Sequence, residues 1–220
     1  MEKVRFISLR LLFAVSMTIV MFNSYGQIIR KDSLTYDEGV VINGIKWATR
    51  NVAEPGAFAV KPEDAGMFYQ WNSRIAWSAT DPMLNSDGYT DWDYSTPEGD
   101  TWKKSNDPSP VGWRVPALDD VKKLLDTEKV INEWTKINDV SGIKFTDKTS
   151  GKSIFLPAVG WRYSGDGELN YVGSYGYYWS CTQNESHDNC AHYLNCGNRG
   201  AEWGYLDSKS FGLSVRPVAN

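Results

Sequence analysis

The chain has 220 residues, of which 14% are aromatic and 23% charged, and its net charge at pH 7 is −4. This length suffices for one domain with a hydrophobic core. Because the chain is acidic and has no basic segment, we exclude nucleic acid and anionic membrane surfaces as predicted partners. Ten tryptophans and twelve tyrosines supply much of its apolar content, as in loop-rich folds held together by large rings.

The first 26 residues have the pattern of a secretory signal peptide. Three basic residues precede an apolar run of about 12 residues at 11–22, and small residues follow before Gln27. The run is shorter than the ~20 residues that span a bilayer, so cleavage is favoured over an uncleaved anchor. Losing three basic residues and one acidic residue would leave a net charge of about −6. The mature chain would have no membrane span and would be periplasmic, on the outer-membrane surface or extracellular.

Residues 27–38 show no clear periodicity and are predicted to be a flexible leader to a single domain over 39–220. Residues 40–48 predict a β-hairpin, because Asn43 and Gly44 suit the positive φ angles of a type I′ turn between two apolar runs.

Strands and loops dominate the rest of the chain, with one clear helix. Residues 78–110 are rich in Asp, Ser, Gly and Pro, which predicts a long surface loop. Residues 116–126 begin with proline, carry acidic residues in the first turn and have one apolar face, which predicts a helix. Residues 129–136 are predicted to form a second short helix. Strands are predicted over 66–71, 142–146, 153–156, 176–182, 191–196 and 210–216.

The three cysteines are candidates for one disulfide. Cys190 and Cys196 would lie ~20 Å apart on one strand, which is beyond disulfide reach. Cys181 and Cys190 would lie on facing strands of a hairpin, and an exported chain can keep such a bond. We therefore expect a Cys181–Cys190 bridge with Cys196 buried and unbridged, in preference to a metal or redox site of three thiols.

Five ordered segments carry a family resemblance. They are Val-Ile-Asn-Gly-Ile-Lys-Trp-Ala-Thr-Arg-Asn-Val at 41–52, Gly-Met-Phe-Tyr-Gln-Trp-Asn at 66–72, Ser-Asn-Asp-Pro-Ser-Pro-Val-Gly-Trp-Arg-Val-Pro at 105–116, Leu-Pro-Ala-Val-Gly-Trp-Arg at 156–162 with Tyr-Val-Gly-Ser-Tyr-Gly-Tyr-Tyr-Trp-Ser at 171–180, and Phe-Gly-Leu-Ser-Val-Arg-Pro-Val at 211–218. Together they resemble the Fibrobacter succinogenes major paralogous domain, a family of exported proteins common in Bacteroidetes and Fibrobacteres.

That family is similar to the C-type-lectin-like superfamily, which also contains the formylglycine-generating enzymes and some adhesin tip domains. The resemblance implies an α+β fold of short antiparallel strands, one or two helices and long loops. Trp113 and Arg114 in the Gly-Trp-Arg segment are expected to maintain the fold. Arg114 would pair with a carboxylate at the start of the helix or donate to loop carbonyls.

The predicted recognition surface is the segment 195–207 beside the loop 183–189, by analogy with superfamily members that bind ligands before the last strand. Rings there can stack on sugars and polar groups can bond hydroxyls, unless both rings belong to the core. The candidate ligand-binding residues are Asn195, Asn198, Arg199, Glu202, Trp203 and Tyr205. Weak calcium candidates are Asn184, Glu185 and Asp188, because calcium prefers oxygen ligands. No other cofactor and no other metal are expected.

An enzyme is disfavoured by the residues available. Cys190 and Cys196 do not reproduce the copper-binding pair of formylglycine-generating enzymes, and His187 and His192 cannot supply a three-histidine site. The sequence therefore predicts a non-enzymatic surface or secreted module that binds a glycan or a protein partner, for example in adhesion. The alternatives are an assembly subunit of a surface appendage without a small ligand, and a formylglycine-generating-type enzyme.

Overall fold

The computed structural model describes residues 20–22, 28–95, 97–206 and 208–220. The predicted signal peptide, residues 1–26, lies outside the described residues except at 20–22. Among the described residues, no helix combines the length and the apolarity needed to cross a bilayer.

The chain divides into two compact units between Ser33 and Leu34, inside the predicted leader 27–38. In the second unit, Asp37 is buried and accepts hydrogen bonds from the side chains of Thr49 and Arg50 at 2.8 and 3.0 Å. The main unit therefore begins before residue 39.

The regular elements are short, and nearly all strand pairs are antiparallel. The strands are β1 (Val20–Phe22), β2 (Ile28–Arg30), β3 (Val40–Ile42), β4 (Ile45–Trp47), β5 (Phe68–Tyr69), β6 (Ala76–Trp77), β7 (Trp113–Arg114), β8 (Val130–Ile137), β9 (Val140–Asp147), β10 (Ser153–Pro157), β11 (Trp161–Arg162), β12 (Leu169–Asn170), β13 (Tyr175–Gln183), β14 (Ala191–Gly197), β15 (Gly200–Leu206), β16 (Leu213–Ser214) and β17 (Val218–Ala219). The α-helices are α1 (Lys31–Thr35) and α2 (Leu118–Leu124), and Lys104–Asn106 forms a 3₁₀ turn. The predicted α+β class, with short antiparallel strands and two helices, agrees with these elements.

A six-stranded sheet in the order β15-β14-β13-β16-β5-β6 is the largest assembly among the described residues. Its one parallel pair joins β13 to β16. A three-stranded sheet has the order β10-β9-β8 and a four-stranded sheet the order β3-β4-β17-β7. β11 pairs with β12, and β1 pairs with β2.

The central strand β13 contributes to a hydrophobic cluster on each face of the sheet. Side chains alternate along a strand, so Tyr178 points to one face while Tyr177 and Trp179 point to the other. Tyr178 joins a cluster with Val121 and Leu194. Tyr177 and Trp179 join a separate cluster. Two indole N–H groups link β13 to residues 69–71, at the end of β5. Trp71 donates to the Ser180 carbonyl at 2.9 Å, and Trp179 donates to the Tyr69 carbonyl at 2.7 Å.

The predicted hairpin and the predicted helix are both confirmed. β3 and β4 pair around Asn43 and Gly44, whose φ angles are 46° and 80°. At the start of α2, Asp120 accepts hydrogen bonds from the Ala117 backbone at 2.9 Å and from Arg114 Nη1 at 2.8 Å. Arg114 therefore makes the predicted pair with a carboxylate at the start of the helix.

The second predicted helix, residues 129–136, is wrong, because this segment forms strand β8. All eight residues of β8 pair with β9. The turn between the strands contains Asn138 and Asp139 with φ angles of 48° and 67°, as a type I′ hairpin requires. Val130, Ile131 and Thr135 are β-branched and favour a strand. Together with the Asn138–Asp139 turn, they could have predicted a β-hairpin from the sequence.

The predicted Cys181–Cys190 disulfide is also wrong, because Cys181 is a free thiol. The register of β13 against β14 shifts between Trp179 and Gln183. As a result, Asn184 rather than Cys181 bonds across to Cys190, through its backbone N–H at 3.0 Å from the Cys190 carbonyl. Cys196 is fully buried, as expected from the sequence.

Arg162 holds the long loop predicted at 78–110 against the sheets. Its side chain is 0% exposed and donates to the carbonyls of Ser78 and Thr80, both at 2.8 Å, and of Gly167 at 2.7 Å. It also reaches Asp81 Oδ1 at 3.2 Å. Trp92 anchors the same loop by packing on Trp77, with a distance of 4.6 Å between ring centroids.

Replacing Arg162 with Met is expected to destabilise the fold by about 3 kcal/mol or more, since the buried Gly167 carbonyl and the part-buried carbonyls of Ser78 and Thr80 lose their donor. Urea unfolding measures the change. The control is Arg199→Met, an exposed arginine whose replacement should change the unfolding free energy by less than ~0.5 kcal/mol. Equal midpoints for both variants would contradict this role of Arg162.

Alkylation of the native protein is expected to modify Cys181 and to spare Cys196 until the chain is unfolded. Cys181 is half-buried, whereas burial of Cys196 excludes reagent and raises the pKa of its thiol to about 12. Mass spectrometry of iodoacetamide-treated protein, without reductant, checks both statements. A two-hydrogen mass deficit, or labelling of Cys196 in native protein, would contradict them.

Candidate functional site

The predicted recognition surface lies on the hairpin of β14 and β15, at one edge of the six-stranded sheet. It is therefore a pair of regular strands, where a loop was expected. Asn195 lies opposite Glu202, and Leu194 lies opposite Trp203. Because neighbouring residues of a strand face opposite sides, the predicted residues are divided between two faces and cannot form one site.

Three of the predicted residues do come together. Asn195, Arg199 and Glu202 line an open pocket of about 350 Å³ together with Tyr175. Asn195 Nδ2 lies 3.5 Å from Glu202 Oε1. The amide oxygen of Asn195 is buried and accepts no hydrogen bond from the described residues. The pocket thus combines an amide, a carboxylate, a guanidinium and a phenol, while Asn198 is exposed at the adjoining turn.

Trp203 faces the other side of the hairpin, towards α2. Its ring lies 5.4 Å from the ring of His192 and 5.2 Å from Lys122 Nζ. The side chain is 45% exposed, so the alternative that Trp203 belongs to the core is wrong. The side chain of Tyr205 lies outside the described residues, and its predicted role is not tested.

A continuous row of aromatic rings, which sequence reasoning missed, borders the pocket. Trp161 stacks on both Tyr177 and Phe211, with ring-centroid distances of 4.8 and 4.6 Å. Tyr193 extends the row beyond Tyr177 at 5.7 Å. We call this set the aromatic strip, and it consists of Trp161, Tyr163, Tyr171, Tyr175, Tyr177, Tyr193 and Phe211.

The backbone brings these rings together from distant parts of the chain. Arg162 and Gly212 exchange backbone hydrogen bonds at 2.8 and 2.9 Å, which sets Phe211 beside Trp161. The Gly160 N–H donates to the Tyr175 carbonyl at 2.7 Å, which brings β11 to β13. Gly197 lies under the ring of Tyr175, and a Cβ there would approach that ring to 2.8 Å. A side chain at position 197 would therefore displace the ring that joins the strip to the pocket.

The strip is only partly buried, and the pKa values of two of its phenols, those of Tyr177 and Tyr193, are raised. Tyr171 and Tyr163 are 55% and 46% exposed, whereas Tyr177 and Phe211 are each 9% exposed. Burial, followed by the neighbouring hydroxyls of Tyr193 and Tyr175, raises the pKa of Tyr177 to about 12. Burial and then the Glu202 carboxylate raise the pKa of Tyr193. These hydroxyls therefore remain hydrogen-bond donors at physiological pH.

The weak calcium candidates lie in the turn between β13 and β14. Asn184 Oδ1 accepts the backbone N–H of Ser186 at 2.9 Å. Asp188 Oδ1 lies 3.4 Å from Gln183 Nε2, and Glu185 is exposed. Within the described residues, no group of three His, Cys, Asp or Glu side chains could hold a metal ion.

A family model described as a domain of unknown function (DUF8237) matches residues 127–218. This stretch runs from just before β8 to β17 and contains the whole aromatic strip and the pocket beside it. No curated protein and no solved structure gave a match. The chain is thus similar, over residues 127–218, to a family whose description names no function.

Proposed function

We propose that this chain is an exported, non-enzymatic binding module of the C-type-lectin-like type, related to the Fibrobacter succinogenes major paralogous domain, which recognises a glycan at the cell surface or outside the cell. The observation that carries the proposal is the partly exposed aromatic strip next to a pocket of polar side chains. The export signal and the family resemblance come from the sequence and support the same assignment.

The strip and the pocket offer the two kinds of contact that a sugar needs. The C–H face of a pyranose ring is apolar and packs against flat aromatic rings, which Tyr171 and Tyr175 present at the partly exposed end of the strip. Its hydroxyls require donors and acceptors at the rim, and Asn195, Arg199 and Glu202 provide both. Satisfying the buried amide oxygen of Asn195 would favour binding, since an unpaired buried acceptor costs about 1–3 kcal/mol.

Cys181 and Cys196 support a binding role over thiol chemistry. A nucleophilic cysteine works as a thiolate and needs a lowered pKa. Burial raises the pKa of Cys181 and of Cys196. Both therefore carry little thiolate at neutral pH, as is typical of structural cysteines.

A glycan array probed with residues 27–220 tests the proposal, run once with calcium and once with a chelator. We expect saturable binding that the chelator leaves unchanged, because the strip and the pocket contact the sugar without a metal. Loss of binding on chelation would move the site to the acidic turn at Asn184, Glu185 and Asp188. A blank array from folded protein would contradict glycan recognition and favour an assembly subunit.

Tyr175→Ala is expected to weaken binding of the glycan selected on the array at least tenfold, since it removes the ring shared by the strip and the pocket. A tenfold loss corresponds to about 1.4 kcal/mol, within the range for a buried aromatic contact. Glu202→Gln should also weaken binding by removing the charged acceptor. Titration calorimetry measures both affinities.

Trp203→Ala is the matched control, because Trp203 is an exposed aromatic residue of the β14–β15 hairpin that carries Glu202 and faces the opposite side. Its replacement should change the affinity less than twofold. The melting temperature of each variant separates loss of the site from loss of the fold. Equal affinity losses for Tyr175→Ala and Trp203→Ala would contradict glycan binding at the aromatic strip.

A further inference from the structure

A second concave surface lies where the loop before α2 meets the end of β13. It is a groove of about 490 Å³, a volume within the usual range for small-molecule sites. We call it the basic groove, and the residues that matter for its chemistry are Arg74, Trp102, Lys104, Ser109, Trp113 and Arg114. Asn195, Arg199 and Glu202 line a different pocket.

The cations of the basic groove outnumber its anions, in a chain whose net charge is negative. Arg74, Lys104 and Arg114 line the groove, and Asp107 is the acidic side chain among the lining residues. Both Asp107 oxygens accept backbone hydrogen bonds, from Ser109 at 2.8 Å and from Val115 at 3.0 Å. Asp120 offsets the charge of Arg114 through their ion pair, which leaves Arg74 and Lys104 as the two unpaired cations against Asp107. The groove is therefore a local positive site on an acidic molecule, and local charges act over about 8–10 Å at physiological salt.

Much of the hydrogen-bonding capacity of these cations is unused. The side chains of Arg74 and Lys104 are exposed and make no hydrogen bond or ion pair with the part of the chain that the structure describes. Arg114 uses Nη1 for Asp120 and for the Val115 carbonyl. Its Nε and Nη2 donors have no acceptor among the described residues. The hydroxyl of Ser109 is buried without a partner in the same described part.

Two half-buried indole rings complete the groove. Trp102 packs edge-on against Trp71 at 5.6 Å, and Trp113 packs edge-on against Phe58 at 5.6 Å. Each ring is fixed from within the fold and contributes apolar surface to the groove wall. Lys46 adds a further positive charge near Trp113, with Nζ at 5.8 Å from the ring. A ligand with a negative group and a compact ring would place the negative group near the cations and the ring against the indole rings of Trp102 and Trp113.

We propose that the basic groove binds a small organic oxyanion, namely a carboxylate, sulfate or phosphate group carried on a sugar-sized ring. Arg114 supplies the fixed donors, because its pair with Asp120 holds the guanidinium in place. Arg74 and Lys104 supply mobile charge at the rim. Arginine suits this role since its planar fork bonds two oxygens of one anion at once. The site stands independently of the aromatic strip.

Titration calorimetry of the full mature chain with four probes tests this site. The probes are glucuronate, glucose 6-sulfate, glucose 6-phosphate and neutral glucose. At least one anion should bind saturably, and glucose should not. A preference for glucuronate would identify a planar carboxylate site, and a preference for either of the other anions would identify a tetrahedral one.

The double variant Arg74→Gln/Lys104→Gln should weaken binding of that anion at least tenfold. These side chains are exposed and unpaired, so the fold should be retained and the melting temperature unchanged. The matched control is Lys136→Gln/Lys152→Gln, which removes the same charge from exposed positions outside the groove and should change the affinity less than twofold. Tyr175→Ala should bind the anion like the wild type.

Two results would overturn the proposal. One is the absence of saturable binding for all three anions. The other is an equal loss of affinity in the groove variant and in the control variant, which would mean that the anions respond to overall charge and not to a built site.

Discussion

The buried guanidinium of Arg162 is the interaction on which the candidate binding surface depends. It satisfies three loop carbonyls while the backbone of the same residue pairs with Gly212. Its neighbour Trp161 consequently faces the other way and is held between Tyr177 and Phe211. Burying a charged group is costly unless its hydrogen bonds are made. Together with the backbone bonds of β11, the buried side chain of Arg162 therefore holds this two-residue strand and Trp161 in place.

The two faces of the β14–β15 hairpin explain how the candidate recognition surface and part of the core lie within a few residues of each other. One face places Leu194 and Cys196 in the core and leaves Trp203 against Lys122 on α2. The other face carries Asn195 and Glu202 beside the aromatic strip. The basic groove is built differently, from loop residues around α2 and the end of β13. A regular sheet thus offers the flat aromatic surface, and an irregular loop offers the convergent charges.

Local patterns in the sequence predicted much of the fold. The Asn43–Gly44 turn and the helix with its Arg114–Asp120 pair depend on residues close in sequence, and both predictions were confirmed. The helix predicted over residues 129–136 was wrong because β8 pairs with β9 along its whole length. The prediction of a Cys181–Cys190 disulfide was wrong because the register of β13 against β14 shifts between Trp179 and Gln183. The number of residues between the two cysteines does not reveal such a shift. The aromatic strip combines rings from β11, β13, β14 and the segment before β16, so only the sheet order could reveal it. Asn195, Arg199 and Glu202 could be proposed from the sequence because they lie in the segment before the last strand, where ligand-binding members of the superfamily often have their site.

The most direct test of the account is an NMR titration of the protein with ¹³C-labelled tyrosine rings and the glycan selected on the array. If the aromatic strip binds the glycan, the ring signals of Tyr171, Tyr175 and Tyr193 should shift together and saturate at one affinity. The exposed rings of Tyr36, Tyr89 and Tyr94 serve as internal controls and should not move. Shifts confined to those three rings, with the strip unchanged, would contradict glycan binding at the aromatic strip.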